Sequence, residues 1–109
     1  MNSSYRIIDI DDEKCIEFYG ELDDSICPIY RDEISKYIEN NRTNYIFNFK
    51  NVTFIDSSGI GFILGRYNQL KSHRKKLYIA GANDHIKKIF KISGIYTVIN
   101  ELEKVGEKR

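Results

Sequence analysis

The clearest pattern of apolar and polar positions begins where an apolar run stops. Phe54 and Ile55 end an extended stretch, Asp56-Ser57-Ser58 interrupts it, and Ile60, Ile63, Leu64 and Tyr67 then recur at the i, i+3, i+4, i+7 spacing of one helical face. Aspartate and serine offer side-chain oxygens to the free amides of a helix start. The segment therefore predicts the end of a buried strand, a turn capped by Asp56 and Ser57, and a helix to about Ser72. Outside the apolar stripe lie Ser58, Gly61, Phe62, Gly65 and Gln69. This second face is small and nearly uncharged, and the spacing predicts that Phe62 stands exposed on it.

The same reading extends to the rest of the chain. Tyr5 to Ile10 and Lys14 to Leu22 alternate as strands around the polar Asp11-Asp12-Glu13 turn, which predicts an antiparallel hairpin. A first helix is expected to open at Asp23-Asp24-Ser25, with Pro28 in its first turn. It turns Tyr30, Ile34, Tyr37 and Ile38 inward and stops at Asn40-Asn41. Tyr45 to Phe49 reads as a short third strand, with Asn51-Val52-Thr53 as a linker. Lys76 to Ala80 reads as a fourth strand. Asn83-Asp84 caps a third helix with Ile86, Ile89 and Phe90 inside and Gly94 as its stop. Ile95 to Ile99 is β-branched enough for a fifth strand, and Asn100 to Arg109 is expected to form a short terminal helix on Leu102 and Val105. The order β-β-α-β-α-β-α-β-α predicts an α/β fold. Its small mixed sheet of about five strands is parallel apart from the opening hairpin, and its helices lie mainly on one face. One domain over 1–109 is expected, fraying at 1–4 and 106–109.

Bulk composition narrows the function classes. With 30% charged residues, 41% hydrophobic residues and a formal net charge of +1, nothing favours nucleic acid or an anionic membrane as partner. No apolar run approaches the roughly 20 residues of a transmembrane helix, and the first residues lack a signal-peptide pattern. Cys15 and Cys27 fit no metal or redox spacing and read as free thiols. A cytoplasmic protein is expected, monomeric when free.

Several catalytic readings fail on their own chemistry. The Asp56–Gly61 stretch lacks the Gly-Lys-Ser/Thr ending whose lysine reaches nucleotide phosphates, and its glycines fall inside the helix rather than in the turn. Ser58 lacks a Gly-x-Ser-x-Gly elbow, and the two histidines, His73 and His85, read as solvated surface residues. Two isolated histidines make no metal site. Asp56 sits where a receiver domain carries its phosphoacceptor, with Asp9, Asp11 and Asp12 as a conceivable acidic pair. Here, however, the first strand turns back into a second strand, and no lysine closes the fourth. The basic Lys71–Lys76 segment and Lys87, Lys88 and Lys91 read as solvated faces. No cofactor or metal is expected, and no enzyme activity.

The Gly61/Gly65 face invites an interaction reading. Glycine costs about 1 kcal/mol relative to alanine inside a helix, and two glycines one turn apart need a compensating use. Either another helix of the domain packs closely there, or a partner's backbone does, with Phe62 as anchor and Arg66 at the rim. A phosphate on Ser58 would add about −1.5 to −2 charges at the edge of that contact. The helix amides and dipole tolerate an anion there, whereas a docked partner would not.

Gly20-Glu21-Leu22-Asp23 together with Phe54 to Tyr67 resembles the STAS domain of bacterial anti-sigma factor antagonists. The Ile63-Leu64-Gly65-Arg66-Tyr67 continuation is most similar to antagonists of the anti-sigma F factor, which act in sporulation. Ile86 to Ile95 also fits the family's third-helix pattern. The resemblance covers roughly Tyr5 to Val105. It implies that the unphosphorylated chain binds an anti-sigma factor serine kinase, in its ATP-bound or ADP-bound form, and releases the sigma factor. It further implies that this kinase phosphorylates Ser58 to end binding, and that a PP2C-type phosphatase restores the active form. The implied partner surface comprises Asp23, Asp56, Ser57, Ser58, Gly59, Gly61, Phe62, Gly65 and Arg66. Phe62 stands where the family commonly has a smaller aliphatic residue, and the His73-Arg74 turn lacks a glycine. The competing implication is a STAS module that binds a nucleotide or small ligand, or a subunit of a stress-sensing assembly.

Overall fold

Period-two alternation builds the sheet. In the computed structural model, which describes residues 3–107, β1 (Ser4–Ile10) and β2 (Glu13–Leu22) form an antiparallel hairpin in register from Ser4 opposite Tyr19 to Ile10 opposite Glu13. Parallel strands β3 (Tyr45–Ile55), β4 (Leu77–Ala80) and β5 (Asn100–Leu102) complete a five-stranded sheet in the order β1-β2-β3-β4-β5. The helices are α1 (Cys27–Asn40), α2 (Ser57–Ser72) and α3 (Asp84–Ser93). One sheet face sends Ile16, Phe18, Phe47 and Phe49 into a single core with Tyr30, Ile34 and Ile38 of α1, Phe62, Ile63 and Leu70 of α2, and Ile86 and Phe90 of α3. On the other face Cys15, Ile46, Tyr78, Ala80 and Leu102 form a smaller buried cluster. This one-sided layering is the architecture that the element order implies.

Four expectations need correction. The third strand does not stop at Phe49: Asn51, Val52, Phe54 and Ile55 find ladder partners on β2 in Tyr19, Gly20, Glu21 and Leu22, across two register shifts. A polar stretch with a neighbouring strand remains a strand. Ile95 to Ile99 is not a strand either. Gly94 adopts a left-handed φ of 83° that ends α3, and a 3-10 turn follows in which the Thr97 and Val98 amides donate to the Gly94 and Ile95 carbonyls. The last strand falls on Asn100–Leu102 instead, paired with β4. No terminal helix follows among the described residues: Leu102 is buried within β5, and Val105 packs partly against the smaller cluster. Finally, α1 begins later than expected, with Ile26 at its N-cap and no side-chain cap. Ser4 opens β1, and Ser3 Oγ donates to the Glu21 carbonyl. Of the ends expected to fray, residues 1, 2, 108 and 109 lie outside the described ones.

The turn after α2 bears out one feature of the sequence. Arg74 occupies a left-handed φ of 59° where no glycine is available, a conformation that costs a residue with a Cβ about 1–2 kcal/mol.

Candidate functional site: the cleft between α1 and α2

Strands β2 and β3 are parallel, so their carboxyl ends bring two turns to one edge of the sheet. Asp23 follows β2, and its Oδ1 accepts from Ser25 Oγ at 2.7 Å and from the Ser25 and Ile26 amides at 3.0 and 3.3 Å. The Ser25 hydroxyl bond is the main reason its carboxyl titrates below the usual range. Asp23 therefore shapes the approach to α1. Asp56 follows β3 and caps α2, its Oδ1 accepting from the Ser58 and Gly59 amides at 2.8 and 3.3 Å. Its own amide donates to the Leu22 carbonyl at 3.3 Å, which ties the two turns together.

Gly59 is the contact that lets α2 start there. It is buried, and a Cβ would stand 2.5 Å from Ile55 Cγ1 and 2.7 Å from the Leu22 carbonyl oxygen. The expectation that Gly59 meets a partner is corrected: it meets the end of β2. Ser57, the first residue of α2, is exposed, and Ser58, the second, is half-buried.

Beyond Ser58 the two helices part and leave a cleft of about 450 Å³. Its α2 wall comprises Ser58, Gly61, Phe62, Gly65 and Arg66, and its opposite wall Asp24, in the turn before α1, with Cys27, Pro28 and Arg31 of α1. The odd face of α2 thus looks toward α1. At Gly61 and Gly65 a Cβ would meet no atom within 4 Å. The close helix packing that the glycines allow is not made there, and they open a groove instead. Farther along, the helices close: Gln69 Nε2 donates to the Ser35 carbonyl at 2.9 Å and to Glu39 Oε2 at 2.8 Å. His73, expected to be solvated, also pairs with Glu39, at 2.6 Å. The hydrogen bonds from Gln69, then His73, hold the Glu39 carboxyl down at about 2.

Two more expectations are corrected here. Phe62 is 4% exposed, not an exposed anchor. Its ring stacks on Phe47 at 6.0 Å between centroids and meets Phe18 and Tyr30 edge-on at 5.8 and 6.3 Å. The buried stripe of α2 runs through Gly59, Phe62, Ile63, Arg66 and Leu70, leaving Ile60, Leu64 and Tyr67 half-buried. The stripe is turned from its expected position because α1, as well as the sheet, covers the helix. Arg66, expected at a rim, is 8% exposed, with its guanidinium carbon 5.6 Å from the centre of the Phe62 ring. Its Nε and Nη1 are buried with no hydrogen-bond partner among the described residues. Burial, and then the charge of Arg31, lower its pKa. Cys27 in the opposite wall is pushed up to about 11, first by burial and then by the charges of Asp56, Asp23 and Asp24.

Sequence reasoning overlooked Asp24, Cys27, Pro28 and Arg31. Their three-to-four-residue spacing leads on to Ser35, which α2 grips through Gln69, and that register was the available signal. Among the described residues, no three His, Cys, Asp or Glu side chains group closely enough to hold a metal. No described helix is long and apolar enough to cross a membrane.

A mixed sheet with helices on one face, and a capped serine turn at the edge where two parallel strands end, define a STAS-type domain. Residues 5–107 match the STAS domain family, and the chain belongs to it. It is 32% identical over 76 residues to the anti-sigma-B factor antagonist of Staphylococcus aureus, an alignment covering 70% of each chain. It is 30% identical over 95 residues to the protein of the same name from Staphylococcus epidermidis, covering 87% of this chain and 88% of that one. Among solved structures it is similar to the Bacillus cell fate determinant SpoIIAA in its phosphorylated form, with 26% identity, a TM-score of 0.71 and coverage of 93% of both chains.

Proposed function

We propose that this chain is an anti-sigma factor antagonist, a regulatory binding protein and not an enzyme, switched by phosphorylation of Ser58. One observation carries the reading: Ser58 is half-buried at the amide end of α2, at the head of a cleft that Gly61 and Gly65 keep unfilled. The cleft admits a partner's side chains or backbone, and Ser58 is the hydroxyl that borders it. The unmodified chain binds an anti-sigma factor serine kinase, loaded with ATP or ADP, and displaces its sigma factor. In the modifying step Ser58 Oγ attacks the γ-phosphorus of ATP, gives up its proton, and ADP leaves. A PP2C-type phosphatase hydrolyses the ester and restores binding. Asp23, Asp56 and Ser57 border the docking surface and shape its turns, while Gly59, Phe62 and Arg66 support it from beneath. The site of action is the cytoplasm, where sigma factors work, and the free chain is a monomer.

The partner class is proposed as the sporulation sigma F system, on the likeness of the Ile63–Tyr67 run to antagonists of anti-sigma F. The Staphylococcus relatives are named for sigma B, so competition between anti-sigma F and anti-sigma B proteins for the chain separates the two. The reading as a whole is tested with an anti-sigma kinase and ATP. Mass spectrometry is expected to find a single phosphate on Ser58; a phosphate on Ser57 instead, or none, contradicts it.

A further inference from the structure

A buried cation without a counter-ion is strongly unfavourable unless something pairs with it, and Arg66 is such a cation. It is 8% exposed, and its Nε and Nη1 bond to nothing among the described residues. The Phe62 ring beneath it compensates only in part. The charge that bears on it from across the cleft, that of Arg31, has the same sign and worsens the imbalance. Neither arginine takes part in an ion pair among the described residues. The acids of the region, Asp23, Asp24 and Asp56, act on Cys27 at the head of the cleft, and none bonds to Arg66. The cleft therefore has acids at its head and two cations farther in, Arg66 buried and Arg31 exposed, and the buried Nε and Nη1 of Arg66 have no anion bonded to them among the described residues.

Ser58 and Arg66 lie on the same wall. Their Cα atoms are about 12 Å apart along the helix, but a helical arginine leans back toward the N-terminus. Its guanidinium lies over Phe62, one turn from Ser58. One turn corresponds to about 5.4 Å of axial rise. A phosphoryl group on Ser58 suits that separation, because its outer oxygens stand about 2.5 Å beyond Oγ and a charge-assisted N–H···O contact covers about 2.8 Å more.

We propose that the phosphoryl group on Ser58 is received in cis by Arg66, with Arg31 closing from the α1 wall, so that modification fills the cleft from within. The inference rests on Ser58 being the phosphoacceptor. The modified state is then an occupied, neutralised cleft, and the acids at its head, which repel the phosphate, drive it inward toward the arginines. Partner binding is lost because the cavity is no longer free, in addition to any repulsion at its edge.

The test uses the whole chain with phosphoserine encoded genetically at position 58, which removes dependence on any kinase. Phosphorus NMR follows the second ionisation in the wild-type background, in Arg66→Met and in Arg31→Gln. A phosphoserine ionises near pH 6, and a facing guanidinium lowers an acid's midpoint by about one unit or more. The helix N-terminus acts equally in all three proteins, so the difference between them reports the arginines. Arg66→Met is expected to raise the midpoint by about one unit, and Arg31→Gln by less. Phosphoserine is also expected to raise Tm in the wild-type background and to lower it in Arg66→Met. Identical midpoints in the three proteins overturn the proposal. Should Arg66→Met fail to fold, the exposed Arg31→Gln decides by the same criterion. Failure of a kinase to modify Ser58 strikes the phosphoacceptor reading alone; failure of the NMR midpoints to move strikes only the arginine contact.

Discussion

Replacing Phe62 by alanine separates a core residue from a docking anchor. The ring is 4% exposed, stacked on Phe47, set edge-on to Phe18 and Tyr30, and covered by the Arg66 guanidinium. Removing a buried phenyl ring costs about 3–5 kcal/mol in transfer and cavity terms together. The vacated space adjoins the cleft, so water enters and solvates Arg66, which places the loss near the lower end, about 3 kcal/mol. At roughly 4 °C or more per kcal/mol for a domain of this size, Tm falls by at least about 12 °C. Ile63→Ala, at a fully buried neighbouring position, is expected to lose a similar about 2–5 kcal/mol. Urea denaturation of both variants, with a common slope, is the assay. A loss below about 1 kcal/mol for Phe62→Ala, beside a normal loss for Ile63→Ala, would show that the ring is not held in the core and would refute the argument.

Further outcomes follow from the same geometry. Gly59→Ala and Gly61→Ala lie two residues apart on one helix and are expected to have opposite signs by thermal unfolding. The first forces a Cβ against Ile55 and the Leu22 carbonyl and costs about 1–3 kcal/mol. The second meets open space and gains about 0.5–1 kcal/mol of helix propensity. Glu39 has a folded carboxyl value depressed from 4.5 to about 2. Its contribution to stability is therefore complete above pH 4.5 and is lost as pH falls toward 2. Glu39→Gln is expected to flatten the acid limb of a pH-dependent unfolding curve. Arg74→Gly relieves the left-handed strain at that turn and is expected to raise stability by about 0.5–1 kcal/mol in urea, after the greater freedom of glycine in the unfolded chain is offset.

Sequence and structure agree where a residue's local chemistry decides its role. Asp56 caps α2, Asn83 caps α3, Gly94 stops it, and Pro28 sits in the first turn of α1, because these effects act within one turn of chain. The hairpin and the parallel order also follow from local patterning. Tertiary neighbours decided the rest. The 51–55 run became strand because β2 continues beside it. Ile95 and Ile99 are buried by a turn, not a ladder. Phe62 and Arg66 are inside because α1 covers a face that periodicity on α2 alone leaves open. The small-residue character of that face was legible; that it lines a cleft whose far wall is Cys27, Pro28 and Arg31 was not, since no single-helix pattern contains both walls.

The central claim is that this cleft is the docking surface and that Ser58 controls it. Isothermal titration of an anti-sigma factor kinase with the unmodified chain, and with the chain carrying phosphoserine at 58, tests it most directly. The unmodified chain is expected to bind, and the phosphoserine chain to bind at least about 30-fold more weakly, corresponding to about 2 kcal/mol. Equal affinities for the two chains would contradict the account.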